Sequence, residues 1–274
     1  MNNSVLLSKI SSFANEAEEV IHLKKPTLSK EKEHRVLNQP GFVLHSYPYK
    51  ETSLLLDFFS RDYGRVTLVA KGAKRPHSAL RSVLQTFQPL SVSWSGKSEL
   101  RTLTAAEWVG GMLPLEKTAL LCGFYLNELI VKLFAKEDTI TRLFDYYVAT
   151  LNALGHGENA LKILRKFEYV LLKEAGIIAD LTFCTTTQEK IVAHQIYVVE
   201  PLGGVRLAVA EEYGPKISGQ TLLDIMAENY EENVTQMESK TLMRFLLSYH
   251  LAGVKLNTRQ ILVDLLKLEG VEKE

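Results

Sequence analysis

The sequence has few cysteines and no long apolar run. Its two cysteines, Cys122 and Cys184, are too few for a disulfide framework, which argues against a disulfide-stabilised secreted protein and favours a reducing compartment. No apolar stretch approaches the roughly 18 residues that a membrane-spanning helix requires. The N-terminus also lacks the basic head and apolar run of a signal peptide. We therefore expect a cytoplasmic protein without a membrane partner.

The common signatures of catalysis are missing as well. There is no G-x-x-x-x-G-K-[ST] loop, no G-x-G-x-x-G after a strand, no H-E-x-x-H and no G-x-S-x-G. The seven histidines are scattered along the chain, and the adjacent acids at 211–212 and 231–232 are typical of solvated surface. We therefore expect a protein that is not an enzyme and needs no cofactor.

The chain has no net charge, because 32 basic residues balance 32 acidic ones. The distribution is uneven: residues 41–114 carry 9 basic and 5 acidic side chains, whereas residues 115–274 carry 17 and 22. The asymmetry is sharpest between residues 61 and 81, where one acid, Asp62, accompanies six cations: Arg61, Arg65, Lys71, Lys74, Arg75 and Arg81. A concentrated basic module can bind a polyanion even when the whole chain is neutral.

Strand-length runs of β-branched and aromatic residues follow a mixed-charge leader at 1–38, whose composition is typical of a flexible or partly helical segment. Five such runs are separated by turn residues: GFVLHSYPYK, SLLLDFFS, GRVTLVAKGA, FQPLSVSWSG and ELRTLTAAEW. Five closely spaced strands without long intervening helices favour a small barrel, whose closure protects the strand edges. We predict a five-stranded β-barrel domain at 39–114.

Beyond Pro114 the apolar residues recur with helical spacing. Helices are predicted at 117–135, 139–154 and 158–175, from about Gln236, where Thr235 and Glu238 have capping-box spacing, and from about Thr258. Residues 177–216 lose this period and predict a hairpin or extended insertion. The fold class is therefore α+β, with the barrel followed by an all-helical domain at 115–274.

The basic loop after the third strand has the chemistry of a nucleic-acid contact. Its ammonium and guanidinium groups can lie along a phosphate backbone, while Tyr63 and Trp94 in the same module can stack on unpaired bases. Two plainer interpretations remain open at this point. A run of cations is also what a solvated face looks like, and barrel aromatics mostly fill the barrel.

A family resemblance extends this interpretation. Residues 42–90, with ETS-L-LD-F and GRV-LVAKGA as the specific parts, resemble the N-terminal domain of the RecO family of bacterial DNA repair proteins. The likeness continues through LTAAEW and FYLNEL, and weakly through HLAGVKLNTRQIL, where the family tends to carry Gly-Gly-Lys-x-Leu-x-Ser-Arg. It covers about residues 41–266 and leaves the leader out.

The resemblance implies an OB-fold and a role as a recombination mediator. Such a protein binds single- and double-stranded DNA, anneals complementary strands, and works with RecR to help RecA displace single-strand-binding protein. By position, the DNA-contacting surface of the family falls on five of the cations: Arg65, Lys71, Lys74, Arg75 and Arg81. Arg61, Tyr63 and Trp94 complete the candidate DNA-binding set.

Two further features concern the helical domain. The family binds the acidic tail of single-strand-binding protein there, and the helix ENALKILRKFEYVLLKEAG offers cations beside apolar residues for it: Lys162, Arg165 and Lys166. An ordinary amphipathic helix with a solvated face is the alternative interpretation of the same residues. Many members also hold zinc with four cysteines in the insertion. This chain has Cys184 alone, with His194 nearby, and one thiol with one imidazole does not make a tetrahedral site, so no metal is expected.

Two alternative functions come from other classes. The barrel can be a protein-interaction scaffold whose basic loop only keeps it soluble. It can also be an RNA-binding OB-fold, because phosphate contacts alone do not distinguish the sugars.

Overall fold

The computed structural model describes residues 35–211, 213–258 and 261. Most of the predicted leader, and most of the last helix predicted from about Thr258, lie outside the described residues. The chain folds into two compact units. Of the described residues, the barrel unit contains 35–115 together with Ala135–Gly155, and the helical unit contains Glu116–Phe134 and those from His156 onward.

Five strands form a closed barrel in the first unit, which confirms the predicted fold. They are β1 (Arg35–Tyr49), β2 (Ser53–Ser60), β3 (Gly64–Ala70), β4 (Leu90–Ser95) and β5 (Leu100–Trp108), with a short helix α1 (Leu80–Val83) between β3 and β4. The order around the barrel is β1-β2-β3-β5-β4. Strands β3 and β5 pair in parallel and the other neighbours are antiparallel, which is the topology of an OB-fold.

The interior of the barrel is apolar and closely filled. Successive side chains of a strand point to opposite faces, so alternate residues of each strand supply the core. The inward-facing set includes Val43, Leu56, Phe58, Leu68 and Trp94, each with 1% of its surface exposed or less. Every residue of β3 is buried, including the polar Arg65 and Thr67, which alternate with Val66 and Leu68.

A helix packs on the outside of the barrel through an aromatic cluster. This helix is α3 (Thr141–Gly155). Four rings form the cluster, with neighbouring centroids 5.3–5.9 Å apart: Phe42, Phe59, Phe144 and Tyr147. The sequence-based boundary after residue 114 groups α3 with the later helices, because helical periodicity does not reveal which core a helix joins. The aromatic packing instead groups it with the barrel.

The helical unit combines helices with a small antiparallel sheet. Its elements are α2 (Lys117–Leu133), α4 (Ala160–Glu174), β6 (Ile196–Glu200), β7 (Gly204–Leu207), β8 (Lys216–Ser218), α5 (Gly219–Met226) and α6 (Asn233–His250). Strands β6 and β7 form the hairpin predicted within 177–216, and β8 adds a third strand in the order β7-β6-β8. Fully buried apolar side chains form the core of this unit, among them Phe167, Leu171, Leu222 and Leu246.

The start of α6 differs from the prediction. The spacing of Thr235 and Glu238 predicts a capping box, but α6 begins before Thr235, and Glu232 is its N-cap. The Glu238 carboxylate instead accepts hydrogen bonds from the backbone N and Oγ of Ser218, at 2.9 and 2.8 Å. Ser218 is itself the N-cap of α5, a helix that the sequence did not predict. A glutamate expected to cap its own helix therefore supports the start of another.

Candidate nucleic-acid interface

Residues 71–81, which we call the basic segment, follow the end of β3. Three successive backbone hydrogen bonds of 3.1 Å, each to the carbonyl three residues earlier, coil the segment; they are donated by Arg75, Ser78 and Arg81. Gly72 has a φ of 71°, a conformation that favours glycine. The backbone N of Lys74 donates to the carbonyl of Thr52 at 2.9 Å. The segment is thus held against the turn between β1 and β2.

Four of the six predicted cations are exposed on the basic segment: Lys71, Lys74, Arg75 and Arg81. Within the described residues, none of the four forms an ion pair with a carboxylate. Four solvent-facing charges on eleven residues of coiled backbone create a surface suited to a polyanion, since each phosphate that they neutralise releases condensed counterions. This is the strongest cluster of predicted site residues in the barrel unit.

The other two predicted cations are paired with carboxylates of the barrel unit, and for the buried Arg65 this corrects its assignment. Arg65 is buried in β3 and binds Asp57 of β2 with Nη2 at 2.6 Å and Nε at 3.3 Å from the two carboxylate oxygens. Arg61 forms a similar bidentate pair with Asp145 of α3, with Nε 3.0 Å from Oδ1 and Nη2 3.3 Å from Oδ2. A phosphate contact by Arg65 would require breaking a buried ion pair, so we remove Arg65 from the candidate interface. Arg61 ties the turn between β2 and β3 to α3.

The two predicted stacking aromatics support the barrel. Trp94 is 1% exposed, and its ring lies in the core. Tyr63 is half-buried and meets Trp94 edge-on, with centroids 5.3 Å apart and an interplanar angle of 84°. A base cannot reach the ring of Trp94, and Tyr63 is packed against the same core. The structure therefore favours the plainer interpretation of these two aromatics, that they fill the barrel.

A cation that sequence reasoning missed lies beside the basic segment. Lys50 is exposed in the turn after β1, with Nζ 5.4 Å from the ring centroid of Tyr49. Strand pairing brings this turn to the end of β3, because Leu54 pairs with Ala70. A lone lysine twenty residues before the basic run gives no sequence signal, and only the register of the three strands places it there.

The helical unit contains a second candidate surface, a small groove of about 40 Å³. Its walls come from α4, α6 and the residues before α6: Leu161, Lys162, Arg165, Tyr230, Gln236 and Lys240. Of the predicted tail-binding residues, Lys162 and Arg165 therefore line the groove, while Lys166 does not. Lys240 and Gln236 were not predicted, because only the packing of α4 against α6 brings these distant parts of the chain together.

The cations of the groove are already neutralised in part. Lys162 Nζ lies 2.6 Å from Glu231 Oε2, and this lysine lowers the pKa of the Glu231 carboxyl. Lys166 Nζ is 3.8 Å from Glu228 Oε2. Both acids are exposed on the loop between α5 and α6, which we call the acidic loop (residues 228–232). An acidic ligand entering the groove would compete with this loop for the lysines.

Arg165 has a different role from the two lysines. Its Nη1 lies 2.6 Å from Oε2 of Glu168, which is 1% exposed, and Glu168 also accepts a hydrogen bond of 2.5 Å from Tyr125. A carboxylate buried to this degree requires a cationic partner. Arg165 therefore stabilises the helical unit as well as forming part of the groove wall.

The insertion holds its single cysteine by hydrogen bonds. Cys184 is buried, its Sγ lies 3.2 Å from Thr186 Oγ1, and the backbone N of Thr185 donates to the carbonyl of Val205 across the insertion. In the described ranges no group of three or more histidine, cysteine or acidic side chains could hold a metal ion. Likewise, none of the described helices is long and apolar enough to cross a membrane.

Two family models together match most of the chain. The family model "Recombination protein O N terminal" matches residues 35–112, and "Recombination protein O C terminal" matches residues 116–260. A protein of Ralstonia nicotianae named DNA repair protein RecO is 58% identical over 238 residues, which cover 86% of this chain and 87% of the relative. A protein of the same name from Polynucleobacter asymbioticus is 56% identical over 240 residues, covering 85% of this chain and 98% of the relative.

Proposed function

Because the chain belongs to the RecO family of DNA repair proteins, we propose that it is a recombination mediator that binds single- and double-stranded DNA through the basic segment and anneals complementary strands. With RecR it helps RecA load onto strands covered by single-strand-binding protein. It does so without catalysing a reaction. The observation that carries the DNA-binding part is the group of four exposed cations on a segment anchored to the barrel.

Phosphate contact explains how such a protein can anneal strands without hydrolysing a nucleotide. Complementary strands repel each other through their phosphates, and cations that screen both strands raise the rate of encounter. Contacts to the backbone leave the base edges available for pairing and carry no sequence information. Annealing by this surface is therefore expected to be indifferent to base order.

Salt dependence tests the basic segment directly. Replacing Lys71, Lys74 and Arg75 by alanine should flatten the slope of log affinity against log salt by about 2–3 units, because each phosphate contact contributes about 0.7–0.9. Binding is measured by fluorescence anisotropy with labelled single strands at several salt concentrations.

A matched control removes the same charge elsewhere. Lys117, Lys190 and Arg244 are exposed in the helical unit, and their triple replacement by alanine should leave the slope unchanged. An unchanged slope in the basic-segment variant would remove these three residues from the interface. Failure of the wild-type protein to bind oligonucleotides even at low salt would favour the scaffold alternative. A clear preference for RNA over DNA of the same sequence would favour the RNA-binding alternative.

For the second surface, we propose that the groove between α4 and α6 receives the acidic tail of single-strand-binding protein. Lys162 and Lys240 supply charge for the tail carboxylates, and Leu161 supplies apolar surface for its hydrophobic end. Lys166 stands outside the groove wall and adds charge at its border. Partner binding then places the protein on DNA that single-strand-binding protein already covers.

A further inference from the structure

We propose that the outer face of the second half of β1 binds unpaired nucleobases, with Tyr47 as the side chain on which a base stacks. This inference rests on the proposed nucleic-acid binding and adds a base-contacting site to the phosphate-contacting basic segment. It replaces Tyr63 and Trp94, whose rings pack in the barrel. The chemistry recognised is the flat face of a base that has no neighbour in a duplex.

Strand geometry places a row of rings on one face of β1. A bulge between Val43 and His45 shifts the register, after which alternate residues share a face. His45, Tyr47 and Tyr49 are the alternate residues, opposite Asp57, Leu55 and Ser53 of β2. His45 and Tyr47 are exposed and Tyr49 is half-buried. The rings thus stand on the solvent side of the sheet.

The exposure of Tyr47 distinguishes it from the aromatics that serve packing. Tyr47 has 45% of its surface exposed, whereas Phe42, earlier on the same strand, is 2% exposed under α3. The ring of His45 meets Tyr47 edge-on, with centroids 4.2 Å apart and planes at 78°. His45 therefore supports the tyrosine from one side while much of its surface stays open to solvent. A rigid, supported ring can stack on a base at a low cost in side-chain entropy.

Cationic residues follow the row of rings along the chain. Lys50 follows Tyr49 directly, with Nζ 5.4 Å from its ring centroid. Thr52, in the same turn, accepts the backbone hydrogen bond from Lys74 that anchors the basic segment. Aromatic and cationic side chains are therefore contiguous across one turn. That combination, a stacking surface beside cations that track the backbone, is how proteins bind single strands without reading sequence.

Alanine substitution with two kinds of strand tests the assignment. Tyr47→Ala should weaken binding of single-stranded oligothymidine by about 5- to 150-fold, the range for loss of one base stack. Duplex affinity should be unchanged, because duplex bases already stack on each other. The affinity for an abasic strand of equal length and charge should also be unchanged. Tyr47→Phe, which keeps the ring, should bind like the wild type.

The controls separate stacking from a general structural effect. Trp108 is 61% exposed on the same barrel, and Trp108→Ala should leave binding of oligothymidine intact. Equal losses in both alanine variants, equal weakening of base-bearing and abasic strands by Tyr47→Ala, or no weakening at all would each overturn the assignment. A wild-type protein that binds no DNA would refute the proposed function itself, which is a different result from DNA binding that is insensitive to Tyr47.

Discussion

Arg65 and Lys74 show how position decides what a cation does. Both belong to the same basic stretch, yet Arg65 lies within β3 and reaches Asp57 on the neighbouring strand, while Lys74 lies beyond the strand and faces solvent. A guanidinium that binds a buried carboxylate in bidentate fashion is a structural element of the barrel. An exposed ammonium contributes little to stability and remains available for a ligand.

The first prediction therefore concerns stability at residue 65. Arg65→Ala leaves the carboxylate of Asp57 buried without its partner, and should lower the free energy of unfolding by about 3–5 kcal/mol. Lys74→Ala should change it by less than about 0.5 kcal/mol, as expected for an exposed side chain. Urea denaturation followed by circular dichroism gives both values.

The double variant Asp57→Leu with Arg65→Met provides the control, because it removes the ion pair without leaving a charge behind. It should recover most of the stability lost in Arg65→Ala. A loss as large in the double variant as in Arg65→Ala would mean that the buried pair is not what makes Arg65 necessary.

The same reasoning explains which site residues the sequence could identify. The exposed cluster of Lys71, Lys74, Arg75 and Arg81 follows the end of a recognisable strand, so its place in a loop was predictable. The outward-facing rings of β1 were not, because a one-residue change of register exchanges the two faces of a strand. The bulge between Val43 and His45 turns Tyr47 outward, and no residue type in that stretch indicates a bulge.

At the scale of elements, α4 and α6 form a surface that neither helix has alone. Helical spacing indicated the basic edge of α4, with its cations recurring beside apolar residues. The partner helix α6 was also predicted, but with the wrong start. Glu238, which was expected to cap α6, accepts a hydrogen bond from the backbone N of Ser218 instead. Which residues of α6 face α4 depends on tertiary packing, so Lys240 could be found only in the structure.

The acidic loop leads to a prediction about affinity for an acidic peptide. Glu231→Gln removes the carboxylate that pairs with Lys162, and should strengthen binding of a labelled acidic tail peptide by roughly two- to fivefold, the scale of an exposed ion pair. Fluorescence anisotropy at low salt measures the change, which added salt should diminish.

Glu232→Gln is the matched control for this variant. It removes the same charge from the neighbouring position of the loop, where the side chain makes no capping hydrogen bond. Its effect on peptide affinity should be clearly smaller. Equal effects of the two variants would show that overall loop charge, rather than the pair with Lys162, governs binding, and Lys162→Glu with undiminished binding would remove the groove from the proposal.

At the scale of the whole molecule, the zero net charge conceals an uneven distribution of charge between the two parts of the chain. The segment that forms the barrel strands has more cations than acids, while the chain beyond residue 114 has more acids than cations. The order of a strand-rich region followed by helices was predictable from the change in hydrophobic period. The assignment of α3 to the barrel was not, because it depends on four aromatic rings meeting across a large sequence separation.

Two candidate surfaces in different units predict separable functions. Alanine at Lys71, Lys74 and Arg75 should abolish most DNA affinity and leave binding of the acidic peptide unchanged, whereas Lys162→Glu with Lys240→Glu should do the reverse. If the two surfaces act independently, the free-energy changes in the combined variant should add within about 0.5 kcal/mol. Annealing of naked strands should then fail only with the first set, and annealing of strands coated with single-strand-binding protein should fail with either. Loss of both activities from one set of changes in a variant that remains folded would mean that the units do not act independently.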